Sequence, residues 1–132
     1  SDSAAANTIV QKSLMMAAPP DAKVAIKSVA DAIPLINDPR MEKYNLMIIV
    51  SSPEDLLTVI RQVPGIPLIN IGNYGRIAAK KEGEARKMYQ ANLYLYPEEM
   101  ALLQQVSATG IKANYQTVPD DAPQDLARVL GI

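Results

Sequence analysis

The chain has 132 residues, of which 48% are hydrophobic, and its formal net charge is −1. This length suits one domain with enough apolar side chains for a core, and the near-neutral charge argues against binding to nucleic acid. Cysteine and histidine are both absent, which excludes disulfides, thiol catalysis and imidazole chemistry by these residues. We therefore expect no tight metal site and no cofactor. No apolar run reaches about 18 residues, so no membrane span is predicted.

The first fifty residues predict two helices and two strands. Asp2 or Ser3 can cap a first helix, which ends at the prolines in 17–20 because proline has no backbone N–H to donate. Residues 23–28 alternate like a strand, and 29–36 read as a short helix. Residues 46–50 are apolar throughout, which is typical of a strand buried on both faces of a parallel sheet.

The middle of the chain predicts a helix, a strand and a long loop. Ser52 is a good N-cap, and Pro53 suits the first helical position. Residues 68–71 form the next predicted strand. Residues 72–83 then predict a long loop that begins with glycine.

The last third continues the alternation. A strand is centred on 93–95, and a helix starts at Pro97 and ends near Gly110. A strand is expected over 111–118 and a terminal helix over 122–130, capped by the acids that precede it. Helices alternating with strands indicate an α/β fold. We predict one domain over 1–132, built as a three-layer sandwich with a mainly parallel sheet and helices on both faces.

The glycine-rich turn after the strand at 68–71 is the first candidate for chemistry. Gly72 and Gly75 permit close approach of backbone to a ligand, and Arg76 can pair with a phosphate or carboxylate. Ligands in open α/β sheets collect outside the carboxyl ends of strands. The same turn also suits an ordinary connecting loop, and it matches no nucleotide-binding motif.

Two further features have both a functional and a structural interpretation. Ser51 and Ser52 at a helix N-terminus can bind an anion, although capping explains Ser52 equally well. The cationic run that follows the glycine turn can contact an acidic partner, but Glu82 and Glu84 interrupt it, which is typical of a solvated loop.

Several separate stretches resemble one family, enzyme IIB of the mannose/fructose/sorbose class of the bacterial sugar phosphotransferase system. The stretches that carry the resemblance are residues 12–20, which end in Ala-Pro-Pro, residues 23–32, Ser52-Pro53-Glu54-Asp55, the Asn-Ile-Gly-Asn run at 70–73, Pro97-Glu98-Glu99 and residues 118–121. These stretches follow one another in the same order as in the family, and together they extend over almost the whole chain. The resemblance implies phosphoryl transfer through a histidine during sugar uptake.

The chain also departs from that family. Members carry about thirty further amino-terminal residues, with a first strand and a loop of the form Arg-Ile-Asp-x-Arg-Leu-Ile-His-Gly-Gln that holds the phosphorylated histidine. We expect that this chain lacks that segment, so that it contains no catalytic residue of its own. Tyr74 stands where many members have methionine. The resemblance implies that the phosphate and partner pocket comprises six residues: Asp2, Ser51, Gly72, Asn73, Tyr74 and Arg76.

The resemblance also implies partners and a location. A IIA domain would donate the phosphoryl group, and a hexose carried by IIC/IID membrane proteins would receive it. The chain would be cytoplasmic and associate peripherally with that permease, and the oligomeric state is left open, a homodimer being one candidate. Two alternatives remain open: a regulatory IIB-like domain that docks without accepting phosphate, and an unrelated small-molecule-binding α/β domain that uses the Gly72 loop.

Overall fold

A computed structural model describes residues 1–132. Six helices and five strands follow one another along the chain. The helices are α1 Asp2–Ala5, α2 Thr8–Ala17, α3 Val29–Ile36, α4 Pro53–Gln62, α5 Pro97–Ser107 and α6 Leu126–Leu130, with a 3₁₀ turn at Pro39–Met41. The strands are β1 Leu68–Ile71, β2 Lys87–Gln90, β3 Leu93–Leu95, β4 Lys112–Tyr115 and β5 Gln124–Asp125.

The strands form two small sheets. One has the order β1-β4-β5, in which β1 and β4 run parallel and β4 and β5 run antiparallel. The other is the antiparallel pair of β2 and β3. The α/β alternation predicted from the sequence is therefore present, but only one strand pair is parallel, so the mainly parallel three-layer sandwich stays a prediction.

The predicted helix starts are explained by their caps. The Ser28 hydroxyl accepts from the Asp31 N–H at the start of α3, and the Ser52 hydroxyl accepts from the Asp55 N–H at the start of α4, both at 3.1 Å. These bonds pair amides that have no partner within their helix. Both helices begin where the sequence predicted.

Most of the buried side chains form one core under the larger sheet. Its ten buried residues come from α4, β1, β3, α5, β4 and α6. A second, smaller cluster joins Val29 and Ile33 of α3 to Val59 of α4 and Val63 just after it. The main core therefore depends on residues after position 56, and the glycine turn lies at its rim.

The two strands predicted in the first fifty residues are wrong. Residues 23–28 and 46–50 belong to no helix or sheet, and no backbone hydrogen bond joins 46–50 to the rest of the chain. A strand is stabilised by a neighbouring strand, and neither segment has one here. The side chains of Met47 and Ile49, predicted to be buried, are exposed.

Smaller corrections concern element ends. The first predicted helix is two helices, capped by Ser1 and Asn7. The last helix begins only at Leu126, where Asp125 accepts from the Arg128 N–H, so the acids at 120–121 are not its caps. Strand β2 was not predicted. None of the helices has the length and apolar character needed to cross a bilayer.

Candidate functional site

A large groove runs along the free edge of the β1-β4-β5 sheet. Its volume is about 1240 Å³, and its lining is mostly apolar. Residues 46–50 and all of β1 contribute to it, as do Ser51 and the turn from Gly72 to Gly75. Two segments that are distant in sequence, the start of α4 and the end of β1, therefore open onto the same groove.

Ser51 occupies its place because the chain enters α4 there. Ser52 caps the helix and Pro53 takes the first helical position, so Ser51 lies just outside the first turn. Its hydroxyl is 3.2 Å from that of Ser3, which ties it to the first helix. A serine hydroxyl can both donate and accept, so Ser51 retains the capacity to donate to an anion.

The glycine turn presents free backbone donors. The N–H groups of Gly72, Asn73 and Gly75 donate to no protein acceptor, whereas the Gln116 N–H bonds the Ile71 carbonyl at 3.0 Å and ends the β1–β4 ladder. Successive unpaired amides of this kind bind anions in many proteins. A Cβ added at Gly72 would lie 3.7 Å from the Gln116 carbonyl, which is ordinary contact.

Tyr74 and Gly75 fix the turn against the β2–β3 hairpin. The Tyr74 N–H donates to the Asn92 carbonyl, and the Tyr94 N–H donates to the Tyr74 carbonyl, both at 2.9 Å. Gly75 has φ +85°, and a Cβ there would lie 1.8 Å from the Tyr94 carbonyl. Only glycine fits at this position, which explains the second glycine of the turn.

A buried ion pair lies beneath the turn. Glu99 of α5 accepts from Arg86 Nε at 2.9 Å and from Arg86 Nη2 at 2.8 Å. The Tyr74 hydroxyl and the Tyr96 N–H also donate to this carboxylate at 2.8 Å each. Helix α5, the loop that precedes β2 and the glycine turn thus meet at the Glu99 carboxylate.

The environment of this cluster changes three pKa values. Burial opposes ionisation of Glu99, but the hydrogen bonds from Arg86, the Tyr96 N–H and Tyr74 outweigh it and hold the pKa of Glu99 below its usual value. The bond to Glu99 raises the pKa of Arg86, and burial followed by the same carboxylate raises the pKa of Tyr74. All three groups keep their ordinary neutral-pH charge states, so none is poised to exchange a proton.

The six residues predicted for the pocket separate into two groups. Ser51, Gly72, Asn73 and Tyr74 line the groove. Asp2 does not, because its carboxylate accepts from the Val29 N–H at 2.8 Å and lies in a separate cavity of about 450 Å³ beside α3. Arg76 is exposed, forms no ion pair and is not part of the groove lining.

Sequence reasoning missed the roles of Arg86 and Glu99. The sequence places Arg86 in the cationic run that is typical of a solvated loop, and it places Glu99 at the start of the helix that begins at Pro97. The available signal was the position of Glu99 two residues after Pro97, where a glutamate can bond back to the N-cap amide. That signal predicts the cap, but not the arginine that arrives from the loop.

The groove suits anion binding rather than acid–base chemistry. It offers a hydroxyl and backbone amides, and of its two lining carboxylates, Asp38 is paired with Arg40 and Glu42 follows the same 3₁₀ turn. No group of three or more histidine, cysteine, aspartate or glutamate side chains is arranged to hold a metal ion. An anion that is bound here would be held by neutral donors.

Comparisons with known proteins agree with one another. The family described as "PTS system sorbose subfamily IIB component" matches residues 1–132. A probable phosphotransferase enzyme IIB component of Streptococcus pyogenes serotype M6 is 34% identical over 130 residues, which cover 98% of this chain and 79% of that protein. The sorbose-specific EIIB component of the phosphotransferase system of Klebsiella pneumoniae is 26% identical over 116 residues, covering 87% of this chain and 67% of that protein.

A solved structure shares the fold. The crystal structure of the IIBSor domain of the sorbose permease from Klebsiella pneumoniae matches with a TM-score of 0.86 at 23% identity. The match covers 99% of this chain and 77% of that one.

Proposed function

Because the chain belongs to the sorbose subfamily of IIB components of the phosphotransferase system, we propose that it is the phosphoryl-relay subunit of a sugar-uptake system. A IIA domain donates the phosphoryl group, and a hexose moved by IIC/IID membrane proteins receives it. The subunit works in the cytoplasm at the face of that permease, as a homodimer. It acts as a protein-histidine sugar phosphotransferase.

The relay requires a histidine that residues 1–132 do not contain. In the first step the P–N bond of the IIA phosphohistidine breaks as a new P–N bond forms on the IIB imidazole. In the second step a sugar hydroxyl displaces that imidazole from phosphorus and loses its proton. We assign the acceptor imidazole to polypeptide outside residues 1–132, since this chain matches 79% of its Streptococcus relative and 67% of its Klebsiella relative.

One observation carries the proposal: Ser51 and the Gly72–Tyr74 turn line the same groove. Phosphoryl transfer needs little covalent chemistry from the protein beyond a positioned acceptor and donors for the phosphoryl oxygens. The Ser51 hydroxyl and the amides of Gly72 and Asn73 supply such donors. Asp2 acts indirectly, by capping α3 near Ser51, and Arg76 contributes a long-range positive charge.

The same groove supports a mainly parallel sheet in the complete protein. Strand β1 has a free edge, and residues 46–50 have unpaired backbone groups and line the same groove. An apolar strand between them would pair both segments and bury their side chains. Helices on both faces would then give the predicted three-layer sandwich.

Phosphorylation of the protein encoded by the complete gene tests the relay. The protein is incubated with phosphoenolpyruvate, the general phosphocarriers and its IIA partner, and acid-labile phosphohistidine is measured over time. Transfer to the chain, followed by discharge to a hexose with permease membranes, is the expected result. Binding of IIA without phosphate incorporation would indicate a docking domain and contradict the proposal.

Three variants sharpen that test. We expect Ser51→Ala to slow phosphoryl acceptance at least about tenfold, because one oxyanion donor is lost. Gly72→Ala keeps both the amide donor and the fold, since its Cβ meets only ordinary contact, so it should slow acceptance less than Ser51→Ala does. Ser13→Ala is the control, because the Ser13 hydroxyl bonds only the Ile9 carbonyl of α2. Equal rates for Ser51→Ala and Ser13→Ala would remove Ser51 from the site.

A further inference from the structure

The Arg86–Glu99 pair is buried although the proposed transfer chemistry does not use it. Their side chains are only 8% and 10% exposed. Burying a charge pair removes both ions from water, and the attraction between them often fails to offset that loss. Stability alone therefore does not explain why an ion pair is buried here.

The pair is bonded to the glycine turn through Tyr74 and to the loop after the turn through Ala78. The Tyr74 hydroxyl donates to Glu99 Oε1 at 2.8 Å, and Arg86 Nη1 donates to the Ala78 carbonyl at 3.3 Å. The guanidinium carbon of Arg86 also lies 5.6 Å from the centre of the Tyr74 ring and 4.3 Å from that of Tyr96. The Arg86–Glu99 pair therefore holds Tyr74, which precedes Arg76, and Ala78, which follows it.

These contacts determine where the free amides lie. Tyr74 follows Gly72 and Asn73 directly, and its own N–H and carbonyl are bonded to the β2–β3 hairpin. Its side chain is the third anchor, and this anchor depends on the ionised Glu99 accepting from it. Donors must be held within a fraction of an ångström to stabilise a transferring group.

We propose that Arg86 and Glu99 are positioning residues that hold the Gly72–Gly75 turn in the geometry that accepts the phosphoryl group. This inference rests on the proposed relay function and assigns a role to two residues outside the groove. Neither residue contacts the phosphoryl group. They act through Tyr74 and the backbone beyond it.

The protein contains a matched control pair. Lys81 and Glu98 join the same loop to the same helix, one residue before Glu99, but their side chains are 47% and 60% exposed. Glu98 makes no hydrogen bond to the glycine turn. Glu98→Gln therefore makes the same chemical change as Glu99→Gln, on the neighbouring residue, without disturbing the turn.

The test compares these two variants in the protein encoded by the complete gene. Steady-state transfer from phosphorylated IIA gives kcat and KM, and native-state hydrogen exchange reports the two bonded amides that anchor the turn, those of Tyr74 and Tyr94. We expect Glu99→Gln to lower kcat about tenfold or more, to change KM less than about threefold, and to accelerate exchange of these two amides. Glu98→Gln should stay within about twofold of wild type in all three measurements.

Arg86→Lys provides the rescue measurement. Lysine keeps the positive charge, but it cannot form the bidentate contact to Glu99 while also donating to the Ala78 carbonyl. Its kcat should lie between those of wild type and Glu99→Gln. If Glu99→Gln fails to fold, Tyr74→Phe replaces it, because it removes only the hydroxyl that donates to Glu99, and the same loss of kcat is expected.

The outcomes separate this inference from the function on which it rests. Wild-type protein that accepts no phosphate would refute the relay itself. Wild-type transfer with the same kcat in Glu99→Gln and Glu98→Gln would refute only the positioning role. Unchanged exchange of the Tyr74 and Tyr94 amides in Glu99→Gln, or in Tyr74→Phe where it replaces that variant, would also overturn it, since the pair would then not hold the turn.

Discussion

Residues 1–50 and residues 53–132 differ in how they bury apolar side chains. All five of the largest fully buried side chains, Leu93, Leu95, Leu103, Val106 and Leu126, lie in the second region. The first region has no side chain below 8% exposure, although its apolar content is high, and it leaves Ile9, Met16, Met47 and Ile49 largely exposed. The second region contains a core, whereas the first lies against its surface.

The difference shows which predicted elements can form without a neighbouring segment to pair with. A helix pairs most of its backbone groups internally, so α2 and α3 form in the first region. A strand needs a neighbouring strand for its backbone, and residues 23–28 and 46–50 pair with no strand of this chain. The same apolar pattern therefore gives a strand at 68–71, where β4 is available, and unpaired chain at 46–50.

The largest expected effect is a core truncation in the second region. Leu103 of α5 is 1% exposed and belongs to the main core. We expect Leu103→Ala to lower the free energy of unfolding of residues 1–132 by about 2–5 kcal/mol, because it removes buried surface and leaves a cavity. Urea denaturation followed by circular dichroism measures this. A loss below about 1 kcal/mol would contradict the core described here.

The next effect is expected at the boundary of the core, in the glycine turn. Gly75→Ala places a Cβ 1.8 Å from the Tyr94 carbonyl at φ +85°, so the turn must move as well as adopt a strained backbone. We expect a loss of about 2–3 kcal/mol in the same measurement. Gly83→Ala is the control: it has φ +71° with nothing within 4 Å, so only about 1 kcal/mol is expected. Equal losses would mean that the Tyr94 contact has no energetic role.

The sequence was sufficient where the determinants are local. The Ser52 cap predicted the start of α4, the pattern at 29–36 predicted α3, and the family resemblance is confirmed by the match over residues 1–132. The sequence was insufficient where an element forms only if another segment of the chain pairs with it. Strand pairing at 46–50 depends on a neighbour, and the late start of α6 depends on the pairing of β5 with β4, which takes up residues 124–125 first.

The candidate site follows the same division. It could be expected that Ser51 and the Gly72 turn line one groove, because helix starts and strand ends meet at one edge of an α/β sheet. The Arg86–Glu99 pair could not, because its two residues are thirteen apart and meet only through the fold of the loop. Asp2 was expected in the same pocket, but an amide at the start of α3 binds its carboxylate instead.

A pH titration gives a smaller effect, specific to Glu99. Its pKa is lowered from 4.5 in the folded chain, so the stability it contributes is present above pH 4.5 and is lost as the pH falls through the folded pKa. The difference in unfolding free energy between wild type and Glu99→Gln should therefore be largest near neutral pH and narrow below about pH 4.5. Urea denaturation at pH 7, 5 and 3 measures it, and a difference that does not depend on pH would contradict the ionised pair.

The smallest effect is expected in the first region. Met16 on α2 is 87% exposed, and Ile49 lies in the unpaired segment at 46–50. Replacing either residue by glutamine removes almost no buried apolar contact, so each should change the unfolding free energy of residues 1–132 by less than about 0.5 kcal/mol. In the complete protein, a strand in the groove would bury Ile49 but not Met16, so Ile49→Gln alone should become destabilising by about 1–3 kcal/mol. Equal small effects of the two substitutions in both proteins would show that no strand covers the groove, and a large effect of Ile49→Gln in residues 1–132 would show that this segment is already packed.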